Sequence, residues 1–182
     1  MSRNPLERVV SGYVYGFHDC EEMQGDLKRF RTREKFLLFL EANFNNRGRP
    51  GNIWEYAECV SGCATNMLIN RRCGAGKPTR AQIDKAIKVF KGRVAFAGIT
   101  ERWNDMVLLW EQLTGIEHNP ALMQNYRPST VGATLVSRIT DALADGFSDP
   151  DEELHELAMR RFKKMLQHYK IGKEGKSVRG CE

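Results

Sequence analysis

The hydrophobic positions along the first half of the chain recur mostly at helical spacing. Pro5 suits the first turn of a helix, and apolar side chains follow it at helical intervals as far as Phe17. Thr32 and Thr79 each stand before another apolar, helix-periodic segment, and the second of these segments continues through Phe90. The pattern therefore predicts three helices, separated by segments rich in Gly, Asn and Pro.

The second half of the chain carries two further helical patterns. Residues 136–143 predict a short helix. The acidic run Asp149–Glu153 is typical of a helix start, because carboxylates in the first turn complement the helix dipole. An apolar stripe from Leu154 to Tyr169 follows it. Residues 53–73 are short and mixed, and they predict one or two helical turns.

One apolar run has the length and the boundaries of a strand. Val94–Ile99 lies between chain breakers and leads into a predicted helix at 104–113, an alternation that favours the α/β class. A single strand leaves its backbone groups unpaired, so we expect its partners upstream of this sequence. Residues 1–169 are thus expected to be the C-terminal part of a larger domain, and 170–182 a basic, disordered tail.

Composition narrows the class of ligand. The chain has 182 residues, and its 28 basic and 23 acidic side chains give a net charge of +5. A mild positive excess suits an anionic ligand such as a nucleotide or an acidic glycan. Basic and aromatic residues are not interleaved as in nucleic-acid platforms, so no nucleic-acid partner is predicted.

The cysteines leave three interpretations open. Cys59, Cys63 and Cys73 lie close together in sequence, where they could form a disulfide, remain buried thiols or begin a zinc site. No histidine lies near them to complete a zinc site, so no metal is predicted. A disulfide is favoured if the compartment is oxidising. Cys20 and Cys181 complete the set.

Four segments, in order, resemble the carbohydrate sulfotransferases, and in particular the Golgi heparan and galactose O-sulfotransferases. Arg3–Tyr13 (RNPLERVVSGY) is similar to their R-(D/E/N)-P-x-E-R-x-x-S-x-Y motif. Gly62–Leu68 with Cys73 resembles a G-C-Q-T-K-M-L…C stretch, although this chain has Ala and Asn at the Gln and Lys positions. Val94–Glu101 resembles F-x-G-(I/L/V)-T-E, and Asp151–His168 resembles the family's final helix.

The resemblance implies a P-loop-like α/β sulfotransferase fold, of which this chain would be a mostly helical portion with few strands. It implies that Arg3 and Ser11 bind the 3′-phosphate of 3′-phosphoadenosine 5′-phosphosulfate (PAPS). Arg127 and Ser129, in a basic and hydroxyl-rich loop, are second-rank candidates for the same nucleotide. Without the resemblance, these residues are an ordinary terminal arginine, a helix serine and a surface loop.

Other candidate residues keep structural interpretations. Glu7 and Arg8 are interpreted as a structural pair on the first helix. Thr100 is interpreted as the cap of the following helix, and Glu101 as a complement to its dipole. Gly74–Thr79 superficially mimics a phosphate-binding loop, but it lacks the required spacing and no strand precedes it.

The expected function is transfer of a sulfuryl group from PAPS to a carbohydrate hydroxyl, with the loop that grips the 5′-phosphosulfate missing from this sequence. No catalytic base is assigned among His18, His118, His155 and His168. The alternatives are a non-catalytic helical binding module, an inactive sulfotransferase-derived protein and a small zinc regulator. Family resemblance places the protein in the Golgi lumen or secretory pathway, with any membrane anchor N-terminal to this sequence.

Overall fold

The computed structural model describes residues 3–15, 20, 32, 34–36, 38–39, 53–123 and 133–172, and in these residues the fold is mostly helical. The predominance of helix agrees with the expectation of a mostly helical portion. The α-helices are α1 (Pro5–Val14), α2 (Ile53–Cys59), α3 (Cys63–Leu68), α4 (Arg80–Arg93), α5 (Trp103–Thr114), α6 (Ala133–Ala144) and α7 (Glu152–His168), and short 3-10 helices occupy Thr100–Arg102 and Pro120–Met123.

Helix α1 begins where the sequence predicts. Pro5 lies in its first turn, and the side-chain oxygen of Asn4 accepts a hydrogen bond from the N–H of Glu7 at 3.3 Å. This bond satisfies one of the backbone donors that a helix start leaves unpaired. One face of the helix is buried, formed by Val9, Val10, Tyr13 and Val14. Phe17, the last residue of the predicted pattern, lies outside the described residues.

The other predicted helices are confirmed where the structure describes them. Thr79 caps α4 through a capping box, in which Thr79 N–H donates to Gln82 Oε1 at 2.8 Å and Gln82 N–H donates to Thr79 Oγ1 at 3.4 Å. Helix α6 extends the predicted 136–143 segment at both ends. Helix α7 buries Leu154, Ala158, Phe162 and Leu166 from its predicted stripe. Most of the helix predicted after Thr32 lies outside the described residues.

The strand predicted at Val94–Ile99 is wrong. Within this segment only Ile99 has a β-bridge, and the preceding residues are an irregular connection between α4 and α5. Ala97 and Ile99 are nevertheless buried, at 6% and 0% exposure. The apolar run therefore reflects burial of an extended connection, a pattern that periodicity does not separate from a paired strand.

Two packed clusters form the described core. The first joins α1, α2 and α6, with the Tyr13 and Tyr56 rings 5.7 Å apart at its centre. The second joins the end of α4, the connection before α5, and helices α5 and α7. Helix α3 packs against α4. Among the described residues, no helix combines the length and apolarity that a membrane span requires.

Two disulfides resolve the alternatives left open for the cysteines. Cys63 pairs with Cys73 within the predicted group, and Cys59 pairs with Cys20, which lies 39 positions earlier. All three sulfurs of the candidate zinc site are therefore oxidised. Since zinc requires thiolates, these cysteines do not support the zinc interpretation. Cys181 lies outside the described residues.

Two helical glycines provide a matched prediction about packing. A Cβ at Gly12 would lie 2.1 Å from Tyr56 Oη, whereas one at Gly92 meets nothing within 4 Å. We expect Gly92→Ala to raise the free energy of unfolding by about 0.5–1 kcal/mol through helix propensity. We expect Gly12→Ala to lower it by about 1–2 kcal/mol, because overpacking exceeds that gain. Chemical denaturation measures both values, and stabilisation by Gly12→Ala would contradict the close packing of α1 on α2.

Candidate functional site

The candidate residues Arg3 and Ser11 lie before and within α1. Arg3 precedes the N-cap residue Asn4, and Ser11 lies in the second turn of the helix. Arg3 is 39% exposed, and its Nε lies 3.9 Å from Glu7 Oε2, beyond hydrogen-bonding distance. The segment therefore offers a guanidinium just before α1 and a partly exposed serine within it.

Glu101 lies against the start of α1. The backbone N–H of Asn4 donates to Glu101 Oε1 at 2.5 Å, across a separation of 97 positions. The prediction that Thr100 caps α5 is wrong. Thr100 lies in a 3-10 turn, and Arg102 occupies the N-cap position of α5. Glu101 precedes α5 as predicted, and it also anchors the residue that caps α1.

Arg8 contacts two aspartates that precede α7. Its Nη2 lies 2.9 Å from Asp149 Oδ2 and 3.3 Å from Asp151 Oδ2. The same nitrogen lies 3.3 Å from the carbonyl oxygen of Val60 in the turn between α2 and α3. The predicted pairing of Glu7 with Arg8 is therefore wrong, because adjacent helix positions point in different directions and each residue finds another partner.

Backbone N–H groups complete this ionic cluster. Asp149 Oδ1 accepts from Gly62 N–H at 3.0 Å and from Asp151 N–H at 2.8 Å. The two carboxylate oxygens of Asp151 accept from Ala64 N–H at 2.7 Å and Thr65 N–H at 2.8 Å. We call Arg8, Asp149 and Asp151 the α1 clamp, because together they fasten α1 to the start of α3 and to the start of α7.

Burial dominates the electrostatics of the α1 clamp. The side chain of Asp149 is fully buried and that of Arg8 is 24% exposed. Burial raises the pKa of the Asp149 carboxyl, while the Arg8 guanidinium and the N–H donors of Asp151 and Gly62 oppose that rise. The neighbouring carboxylate of Asp151 adds to it. Arg8 thus offsets part of the electrostatic cost of burying two neighbouring carboxylates.

The segment that resembles G-C-Q-T-K-M-L forms α3 and the loop after it. Asn66, which stands at the Lys position of that motif, is fully buried. Its Nδ2 donates to the carbonyls of Cys73 at 3.3 Å and Gly76 at 3.0 Å, and its Oδ1 accepts from Arg71 at 3.0 Å. Asn66 therefore organises the loop that the Cys63–Cys73 disulfide closes.

One described histidine, His118, contacts a buried glutamate. His118 Nδ1 lies 2.8 Å from Glu111 Oε2, at the opposite end of α5 from Glu101. Burial tends to raise the pKa of Glu111, but hydrogen bonds from His118 and from the Asn119 N–H outweigh burial and hold that pKa below its ordinary range. His168 is exposed on α7, while His18 lies outside the described residues.

An open cavity of about 580 Å³ lies along α7, away from the residues predicted to form the site. Its lining is basic and apolar, with Leu157, Arg160, Arg161, Lys164, Met165, His168 and Tyr169. Arg161 donates to the carbonyls of Phe90, Lys91 and Val94, so its guanidinium caps the C-terminus of α4. Arg160 pairs with Glu156 at 3.3 Å. Two cations of the cavity lining, Arg160 and Arg161, thus already have structural partners.

The second-rank candidates for nucleotide binding are Arg127 and Ser129. Both lie outside the described residues, as does most of their loop. Gly74–Thr79 follows helix α3 and precedes α4, so no strand leads into it. This agrees with its rejection as a phosphate-binding loop.

Comparisons with models of protein families, with characterised proteins and with solved structures find no match. The geometry therefore carries the functional argument.

The sequence did not reveal the partners of Arg8 and Glu101. Asp149 and Asp151 carry the helix-start signal, which explains them without any distant cation. One available signal was the motif position of Arg8, a charged residue next to the buried stripe Val9 and Val10. A long cation at the edge of an apolar face often finds a buried anion, but its partner is not readable from one sequence.

Proposed function

We propose that this chain binds the 3′-phosphate of PAPS and acts in PAPS-dependent transfer of a sulfuryl group to a carbohydrate hydroxyl. One observation carries the proposal. The four segments that resemble the sulfotransferases, spread from Arg3 to His168, converge around α1. Glu101 contacts Asn4, and the α1 clamp joins Arg8 to Gly62, Ala64 and Asp151.

This convergence supports the proposal because residues that form one binding site must lie together in the folded chain. Short motifs match by chance at scattered positions, and nothing then requires them to meet in the folded chain. Here the opening motif has direct polar contacts with Glu101 and Asp151, from two of the other segments. The third, Gly62–Leu68, is joined to it indirectly, because Asp149 and Asp151 bind both Arg8 and the N–H groups of that segment. We accordingly propose that the described helices belong to an α/β P-loop-like sulfotransferase domain.

The chemistry of α1 fits a phosphate. The Arg3 guanidinium offers a planar set of donors that matches phosphate oxygens, and among the described residues its ion-pair partner Glu7 is 3.9 Å away. Ser11 adds a hydroxyl donor in the second turn of α1. PAPS, when bound, supplies the activated sulfuryl group. The chain would hold its 3′-phosphate and so orient the nucleotide, a contribution of position and charge.

The proposed reaction balances without a redox step. The acceptor hydroxyl oxygen forms a bond to sulfur while the bond from sulfur to the nucleotide 5′-phosphate oxygen breaks, and the hydroxyl proton passes to a base. No residue is assigned as that base. The two disulfides support the expected secretory compartment, since such bonds persist under oxidising conditions.

The test compares two nucleotides that differ only in the 3′-phosphate. We expect the full chain to bind adenosine 3′,5′-bisphosphate more tightly than adenosine 5′-monophosphate in calorimetry. Arg3→Ala is expected to reduce that preference roughly tenfold, the effect of losing a charge-assisted hydrogen bond. Arg160→Ala is the matched control, because Arg160 also pairs with a glutamate four positions away.

The possible results distinguish the role of Arg3 from recognition of the nucleotide as a whole. An unchanged preference in Arg160→Ala with a reduced preference in Arg3→Ala supports the assignment. Equal binding of both nucleotides by the unmodified chain would refute the proposed function. A preference that survives Arg3→Ala would refute the role of Arg3 while leaving nucleotide recognition intact.

A further inference from the structure

We propose that the α1 clamp is a positioning unit, which sets the placement of α1 and thereby of Arg3 and Ser11 on the 3′-phosphate. This inference rests on the proposed function. The clamp residues are not candidate phosphate ligands themselves. They act through α1, which carries Ser11 and directly follows Arg3 and Asn4.

Apolar packing and polar contacts hold α1 in different ways. Its buried face consists of Val9, Val10, Tyr13 and Val14, and hydrophobic attraction between such side chains has no preferred direction. Hydrogen bonds and ion pairs have defined distances and angles, so they specify the placement of the helix more narrowly.

The clamp holds α1 at its middle, while Glu101 holds its start. Arg8 lies one turn before Ser11, and Asn4 lies directly after Arg3. The nitrogen of Asn4 is 2.5 Å from Glu101 and Arg8 Nη2 is 2.9 Å from Asp149. Each candidate phosphate ligand is therefore next to a polar contact that comes from a distant part of the chain.

The buried ionic cluster at this position is not explained by stability alone. Replacing a buried ion pair by packed apolar side chains is often neutral or stabilising, so stability alone does not explain one. Here one cation faces two carboxylates. Three backbone N–H groups near the start of α3 also donate hydrogen bonds to those carboxylates. The cluster instead supplies directional contacts among α1, α3 and α7, as expected of a unit that fixes geometry.

The experiment uses the preference for adenosine 3′,5′-bisphosphate over adenosine 5′-monophosphate, measured on the full chain. Arg8→Lys keeps the charge, but its ammonium does not reach as far as Nη2, so α1 must move or lose a contact. We expect the preference to fall roughly fivefold, since small displacements of positioned groups have effects of this order. The affinity of the variant for the monophosphate should stay within roughly twofold of that of the unmodified chain, because the monophosphate has no 3′-phosphate for these residues to bind.

A second clamp variant and a control variant distinguish a loss of positioning from a loss of folding. Asp151→Asn preserves shape and an acceptor oxygen while removing one charge, and it is expected to reduce the preference in the same direction. Ala86→Gly, in the buried part of α4, is the control for general destabilisation, because it weakens a helix that contains none of the clamp residues. A purely structural role predicts equal changes in all three variants when each is compared at the same distance below its melting temperature.

The results distinguish this inference from the proposed function. If the unmodified chain shows no preference for the bisphosphate, the proposed function fails first. If it shows that preference and folded Arg8→Lys or Asp151→Asn retains it in full, the positioning role is overturned. A reduced preference in the clamp variants with an unchanged one in Ala86→Gly supports it.

Discussion

Reduction of both disulfides is expected to remove most of the stability of the folded chain. The Cys20–Cys59 bond closes a separation of 39 positions and the Cys63–Cys73 bond one of 10. On the chain-entropy estimate these contribute about 4 and 3 kcal/mol, through restriction of the unfolded chain. Their sum, about 7 kcal/mol, is comparable with the whole stability of an ordinary domain, about 5–15 kcal/mol.

The two bonds also act at different places in the fold. Cys20–Cys59 ties the end of α2 to the segment after α1, in the first core cluster. Cys63–Cys73 closes the loop that Asn66 organises, next to the N–H groups that hold Asp149 and Asp151. Loss of the second bond should therefore loosen the α1 clamp as well as lower overall stability.

Thermal unfolding with and without a phosphine reductant measures the combined effect, with a thiol assay to confirm reduction. The paired variants Cys20→Ser with Cys59→Ser, and Cys63→Ser with Cys73→Ser, measure each bond alone. A variant lacking all four cysteines should show no further change on addition of reductant. An unmodified chain that keeps its melting temperature after complete reduction would contradict the expected contribution.

Helices were predictable because their signals are local. The capping box of Thr79 and Gln82 lies within four positions, and the apolar stripe of α7 repeats within a turn. Each signal selects helix before any tertiary contact forms. Predictions for α1, α4, α6 and α7 depended only on such signals, and the structure agrees with them.

The strand at Val94–Ile99 and the α1 clamp were not predictable for opposite reasons. A buried connection and a buried strand give the same apolar run, so the sequence contained a signal with two causes. Arg8 and Asp149 are separated by 141 positions, and no periodicity relates them. Their contact depends on how α1 packs, a property of the whole fold. The candidate ligands Arg3 and Ser11 came only from family resemblance.

Arg8→Ala is expected to lower the free energy of unfolding by about 3–5 kcal/mol, the cost of removing one partner from a buried ionic cluster. The loss exceeds that of a surface pair because Asp149 and Asp151 remain buried beside each other without the cation. Arg160→Ala is the matched control. Its pair with Glu156 is more than 60% exposed on both sides, so its loss should cost less than about 0.5 kcal/mol.

The pH dependence of this variant identifies the mechanism. Burial raises the pKa of Asp149 in the folded chain above its value in the unfolded chain, and Arg8 opposes that rise. Between the two pKa values the folded state keeps a proton that the unfolded state has released, so stability falls as pH rises through this interval. Without Arg8 the folded-state pKa rises further, which widens the interval.

The difference in melting temperature between Arg8→Ala and the unmodified chain should therefore be largest at neutral pH and smaller at the acidic end of the series, as Asp149 takes up a proton. Arg160→Ala should show no such trend, because its glutamate partner is exposed. A difference for Arg8→Ala that is the same at both pH values would mean that lost packing of the arginine side chain, rather than the two buried carboxylates, destabilises the variant. The pH series thus separates the charge of the α1 clamp from its volume.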